Sequence, residues 1–205
     1  MRRTALVYAL PAAVVAFAWL RMEEPRAGGA AALWMVLLAL LPALLPGVGL
    51  SLLVLGPATL VAAWLALGRP LGDGGFFPIA WERFEDGFVR FYEVRVPFAG
   101  GELPEMHGVV LLAIFAFCVA LAFAVRARRP LPAVLVVIAG AGWPATLLTS
   151  QSIVYGAVIL TAALWILAGL RLDRPTLALA AGALVVVAAA AVSTSAAVAK
   201  EGVVD

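Results

Sequence analysis

Charged side chains are scarce in this chain. Only 13% of its 205 residues are charged, whereas about 25% is usual for a soluble protein. Hydrophobic residues make up 65% of the chain, and the mean hydropathy is +1.09. A soluble domain of this length could not bury so much apolar surface. The composition therefore excludes an ordinary soluble domain and predicts an all-α membrane protein.

Cysteine and lysine are almost missing as well. Cys118 is the single cysteine, which excludes an internal disulfide framework and a metal cluster built from several cysteines. Lys200 is the single lysine among 14 basic residues. This arginine bias, together with the abundant alanine, indicates a GC-rich bacterial genome. The net charge of +2, with no basic groove or aromatic platform, predicts no nucleic-acid partner.

Long apolar segments make up most of the chain. Each predicted span is long enough to cross about 30 Å of hydrocarbon and contains no Asp, Glu, Lys or Arg. The turn PGVG at 46–49 divides a run that would be too long for one crossing. We predict one integral membrane domain over 1–205, a polytopic bundle of about seven spans. These are 4–20, 30–46, 48–68, 108–125, 131–148, 153–170 and 176–198.

The arginines predict an orientation. Segments between spans that hold most arginine and little acid are typically cytoplasmic. In the predicted topology, the segments of this kind all lie on one side of the membrane. Their arginines are Arg2, Arg3, Arg126, Arg128, Arg129, Arg171 and Arg174. We therefore expect a multi-pass protein of the bacterial plasma membrane with a cytoplasmic N-terminus and an extracytoplasmic C-terminus. An alternative for the first span stays open, because MRR, an apolar run and Ala16-Phe17-Ala18 also resemble a cleavable signal peptide.

The longest polar segment, the predicted outer loop 69–107, contains an aromatic pattern. Its rings recur at spacings of four and three residues, which predicts one face of an amphipathic helix lying on the membrane surface. Two interpretations stay open: a docking platform for an extracytoplasmic partner, or a lid packed over the spans. The ring positions are Phe77, Trp81, Phe84, Phe88 and Phe91.

Catalytic patterns are hard to find. His107 is the only histidine, and with Glu102 and Glu105 it could hold a metal or move a proton. The competing interpretation is a loop histidine near a helix start. Cys118 lies within a span, and there is no GxSxG sequence. We predict no catalytic, cofactor or metal site. The predicted outer-surface contact residues are Trp81, Phe84, Phe88, Phe91, Glu105 and His107.

Several strings together carry a family resemblance. They are YEVRVPF (92–98), PEMHG (104–108), RRP (128–130), GAGWPATLL (140–148) and VAKEGVVD (198–205). They resemble the N-terminal membrane region of bacterial transglutaminase-like membrane proteins. The resemblance implies an extracytoplasmic domain of the transglutaminase, papain-like thiol type after Asp205. The catalytic groups of that family belong to the downstream domain, so none is carried over here.

These observations predict a non-catalytic membrane domain that anchors and orients an extracytoplasmic domain or partner. A small transporter or channel for uncharged or lipid-like substrates is the alternative. An intramembrane enzyme acting through Glu105 and His107 is a third hypothesis. All three hypotheses place the protein in a lipid bilayer.

Overall fold

The computed structural model describes residues 2–24, 28–68, 75–148 and 152–172. These residues form seven α-helices, α1 to α7, and the last continues as a π-helical turn, Ala168–Leu172. No strand occurs among them beyond one isolated bridge. In chain order the helices are Arg2–Leu20, Gly29–Leu44, Val48–Ala66, Phe76–Arg90, Pro104–Arg126, Pro130–Leu147 and Ser152–Leu167.

Hydrophobic runs locate the helices well. Four helical segments are long and apolar enough to cross a membrane: Val48–Ala66, Pro104–Arg126, Pro130–Leu147 and Val154–Arg171. Two more apolar helices, α1 and α2, are shorter. The predicted span 176–198 and the predicted extracytoplasmic C-terminus lie outside the described residues. The all-α fold with candidate membrane-spanning helices is confirmed, and the number of seven spans stays a prediction.

Helix α5 is the centre of the bundle. It packs against α1, α2, α3, α4 and α6. Within its apolar window 61% of residues are buried, whereas only 17% are buried in that of α3. Helix α3 instead exposes leucine and valine side chains around much of its circumference. An apolar helix with so little buried surface is typical of one surrounded by lipid.

Helix α1 belongs to this core. Val7, Tyr8, Ala12 and Val15 are buried, and the Tyr8 hydroxyl donates a hydrogen bond of 2.8 Å to the carbonyl of Val36 on α2. A buried hydroxyl needs such a partner. The first predicted span is therefore a helix packed within the bundle.

The two ends of α5 define the two ends of the bundle. At its C-terminal end, Arg126 reaches the turn between α2 and α3, where Gly47 adopts a left-handed φ of 78°. The guanidinium donates to the carbonyl of Gly47 at 3.1 Å, to the carbonyl of Pro42 at 3.4 Å and to the Ser51 hydroxyl. The predicted turn at 46–49 is thus confirmed. We call this end the Arg126 end and the opposite one the His107 end.

Tryptophans mark the His107 end. Trp34, Trp64 and Trp143 lie near the termini of α2, α3 and α6 at that end and are exposed. Trp19 is buried there instead, with its ring centroid 6.1 Å from that of Phe117. Exposed indoles at one level are typical of a membrane interface, where the ring is apolar and its N–H stays wet.

Candidate functional site

Helix α4 lies across the His107 end. The predicted surface helix is confirmed as a helix over Phe76–Arg90. Its buried side is formed by small residues: an added Cβ at Gly87 would lie 2.4 Å from the carbonyl oxygen of Glu105, and Ala80 is buried. Arg90 then pairs with Glu105 at 3.7 Å. The backbone of α4 therefore rests directly on the start of α5.

The segments around α4 are joined by backbone hydrogen bonds. The Phe98 N–H donates to the carbonyl of Met22, and the Glu24 N–H donates to the carbonyl of Phe98, each at 2.9 Å. Phe98 is buried, and its ring meets that of Phe91 edge-on with centroids 5.9 Å apart. We call 21–24, α4 and 91–103 together the cap. Two segments distant in sequence thus hold one another in place.

A buried ionisable pair lies beneath this bridge. Glu23 is only 2% exposed, and its Oε1 lies 2.6 Å from Nδ1 of His107. Its other oxygen, Oε2, has no hydrogen-bond partner among the described residues. Gly28 and Gly100 surround the pair so closely that an added Cβ would approach Oε2 within 3.3 and 3.2 Å. Burial of such a pair costs solvation free energy, so its presence is weak evidence for stability and points to another role.

A cavity of about 370 Å³ opens beside this pair, where α3, α4 and α5 meet. Arg83 enters it from α4 and donates from Nη1 to the carbonyl of Leu67 at 2.5 Å, which satisfies an acceptor at the end of α3. His107 also lines the cavity. The lining residues are Leu65, Ala66, Leu67, Gly68, Arg83, Pro104, Glu105 and His107.

The structure divides the predicted contact residues into two sets. Trp81 and Phe88 are exposed, at 66% and 45%. Phe84 and Phe91 instead pack against the buried core. The predicted ring face is therefore divided. Because α4 contacts the bundle through Ala80 and Gly87, the rings beside that contact pack against the core and the others stay exposed.

The remaining two predicted contact residues lie in the first turn of α5, against the cap. Glu105 is partly exposed beside Arg90, and His107 is bound to Glu23. The three hypothesised partners Glu102, Glu105 and His107 do not come together as one cluster. Within the described ranges, no group of three or more His, Cys, Asp or Glu side chains is placed to hold a metal.

Sequence reasoning missed Glu23 and the inward position of Arg83. Glu23 lies 84 residues before His107, so no local spacing could connect them. The available signal was topological: the predicted crossings place both residues on one side of the membrane. Arg83 lies among acidic residues in the sequence, and helical spacing alone does not predict that its side chain turns toward α3 while theirs are exposed.

Helix α4 also carries an uneven charge. Arg83 and Arg90 are both bound to bundle groups, whereas its acids and that of the following turn point to solvent. We call the acids the acidic face: Glu82, Glu85, Asp86 and Glu93, all exposed.

The fold and its apolar helices define the class of the protein: an all-α protein with candidate membrane-spanning helices, closed at one end by a polar cap. Comparison with protein-family models, with curated proteins and with solved structures finds no match for this chain.

Proposed function

We propose that this chain is a non-catalytic membrane domain that anchors and orients an extracytoplasmic domain or partner through the exposed side of α4. One observation carries the proposal. The helix is fixed to the bundle along Ala80 and Gly87, while its opposite side presents exposed rings and the acidic face. A helix held this firmly can define the position of whatever binds it.

The charges of α4 indicate the chemistry of that partner. Both arginines bind groups of the bundle, so the four acids of the acidic face keep their negative charge without a cation among the described residues. A surface of one sign steers and orients partners of the opposite sign. The partner should therefore present a basic surface to α4.

The bundle ends support the expected orientation. Arg126, Arg128 and Arg129 lie together at the Arg126 end, and clustered arginine favours the cytoplasmic side of a membrane. The cap would then face the extracytoplasmic space of a bacterial cell. The string resemblance to transglutaminase-like membrane proteins supports the same placement, with a thiol-type domain as the oriented partner.

Photo-cross-linking in cells tests this proposal. A photoreactive residue replacing Glu85 should give a discrete protein adduct, because Glu85 lies on the acidic face. The same residue replacing Leu135 on α6, which is 64% exposed, should meet lipid and give none. Charge reversal by Glu82→Lys with Asp86→Lys should remove the adduct at Glu85. No protein adduct at Glu85, or the same adduct at Leu135, would contradict the docking function.

A further inference from the structure

The cavity beside Arg83 has features that the docking function does not use. It lies on the side of α4 that faces α3 and α5, away from the acidic face. Its charged and polar side chains come from α4 and α5, and the end of α3 forms the remaining wall. Any ligand of this cavity is therefore bound by the bundle itself.

Arg83 supplies a positive charge to the cavity. Its Nη1 donates to the carbonyl of Leu67, and no carboxylate pairs with its guanidinium among the described residues. The negative charge of Glu105 in the same cavity is offset by Arg90 at 3.7 Å. A guanidinium presents five donors in a planar fork that matches the oxygens of a phosphate. The unused donors of Arg83 are therefore suited to a phosphate group.

An apolar groove lies along the same α3–α4 contact. Its volume is about 480 Å³, and it is lined by Leu60, Val61, Trp64, Phe76 and Phe77. On α3, the groove ends at Trp64 and the cavity begins at Leu65. On α4, the groove residue Phe76 and the cavity residue Arg83 are seven residues apart, so both lie on the same face of the helix, separated by about 10 Å of helix rise. Groove and cavity therefore follow one another along one seam of the bundle.

We propose that this seam binds an anionic phospholipid, with its phosphate at Arg83 and an acyl chain along the groove. The charge of the cavity, the apolar lining of the groove and their order along α3 and α4 match the two parts of such a lipid. The α3 side chains that line the groove, Leu60, Val61 and Trp64, are exposed, so lipid reaches them directly. This site is independent of the docking function and would remain if no protein bound the acidic face.

His107 provides a built-in reporter of the site. It is the only histidine, it lines the cavity, and Glu23 holds its Nδ1 at 2.6 Å. The tautomer of an imidazole is set by the hydrogen bond of its other nitrogen. A ¹⁵N-histidine spectrum of this protein therefore contains signals from one ring whose surroundings are known.

Titration of ¹⁵N-histidine-labelled protein in phosphatidylcholine nanodiscs tests the proposal. Phosphatidylglycerol should shift the His107 signals saturably. Arg83→Gln should weaken this apparent affinity by about tenfold or more, because a charge-assisted contact is lost. The control Arg95→Gln removes an exposed arginine outside the cavity and should leave the affinity unchanged.

A second variant separates the acyl chain from the phosphate and covers the case in which Arg83→Gln loosens the cap. Val61→Trp fills the groove without touching the bond between Arg83 and Leu67, and it should weaken phosphatidylglycerol binding severalfold. Equal shifts with phosphatidylcholine alone, the same saturable shift with inorganic phosphate, or full affinity in both variants would each overturn the lipid site.

Discussion

The two ends of the bundle are closed in different ways. At the Arg126 end, one side chain binds three oxygens, one in the turn between α2 and α3 and one in each of these two helices. At the His107 end, a helix, a backbone bridge and a buried glutamate–histidine pair form a layered cap. A turn can be closed by one guanidinium, whereas the cap costs the solvation free energy of a buried carboxylate. This difference teaches that the Arg126 end depends on a single side chain, whereas the His107 end depends on several elements packed together.

Removal of His107 should give the largest effect. His107→Leu leaves Glu23 buried without its partner, which should lower the free energy of unfolding by about 3–5 kcal/mol. Replacing both residues, as Glu23→Met with His107→Leu, should recover most of that loss, because an apolar pair needs no solvation. Unfolding in mixed detergent micelles measures both. Equal destabilisation by the single and the double variant would contradict energetic coupling between Glu23 and His107.

Removal of Arg126 should be less severe and should act on the other end. Arg126→Gln loses charge-assisted bonds to Gly47, Pro42 and Ser51, with an expected loss of about 1.5–3 kcal/mol. The exposed Arg129→Gln is the matched control. Protease protection of the cap should be unchanged in both variants. Cleavage within the cap of Arg126→Gln would show that the two ends are not independent.

A methyl group at Gly87 should loosen the cap and leave the rest of the bundle unchanged. Gly87→Ala places Cβ against the carbonyl of Glu105, so overpacking should cost about 1–3 kcal/mol and increase proteolysis of α4. Gly56→Ala on α3 meets open space and should stabilise its helix by about 0.5–1 kcal/mol. Equal changes in stability for the two variants would contradict the close contact of α4 with α5.

Labelling tests the predicted orientation and needs no change in stability. A cysteine replacing Tyr92, which is 79% exposed, should react with an impermeant maleimide on whole cells. One replacing Arg129 should react only after lysis. The native Cys118 is buried and should stay silent in both. The reverse pattern would place the cap in the cytoplasm and exclude an extracytoplasmic partner.

Much of the fold could be predicted from the sequence because hydrocarbon demands long apolar helices. The predicted turn at 46–49 and the surface helix follow from Gly47 and from ring spacing. Six predicted spans coincide with helices to within a few residues, except that α5 begins at Pro104 and α7 continues as a π-helical turn.

The candidate site was less predictable. Ring spacing indicates one face of a helix but cannot show which rings meet the bundle, so the sequence predicts Phe84 and Phe91 as outer-surface contacts although both pack against the core. A glycine inside a helix usually weakens it, whereas Gly87 permits the close contact between α4 and α5. Glu23 and His107 meet only through tertiary packing. Local pattern identifies elements, whereas the partners across the cap depend on how those elements are stacked.

The bridge between 21–24 and Phe98 also sets an order of events during synthesis. Chains emerge from the ribosome N-terminus first, so Glu23 is made 84 residues before the imidazole that it binds. The hairpin of α1 and α2 must wait with an unpaired carboxylate until α5 has been made. Closure of this end is therefore a late step of biogenesis, and a nascent chain stopped before α5 would expose Glu23 to quality-control proteases.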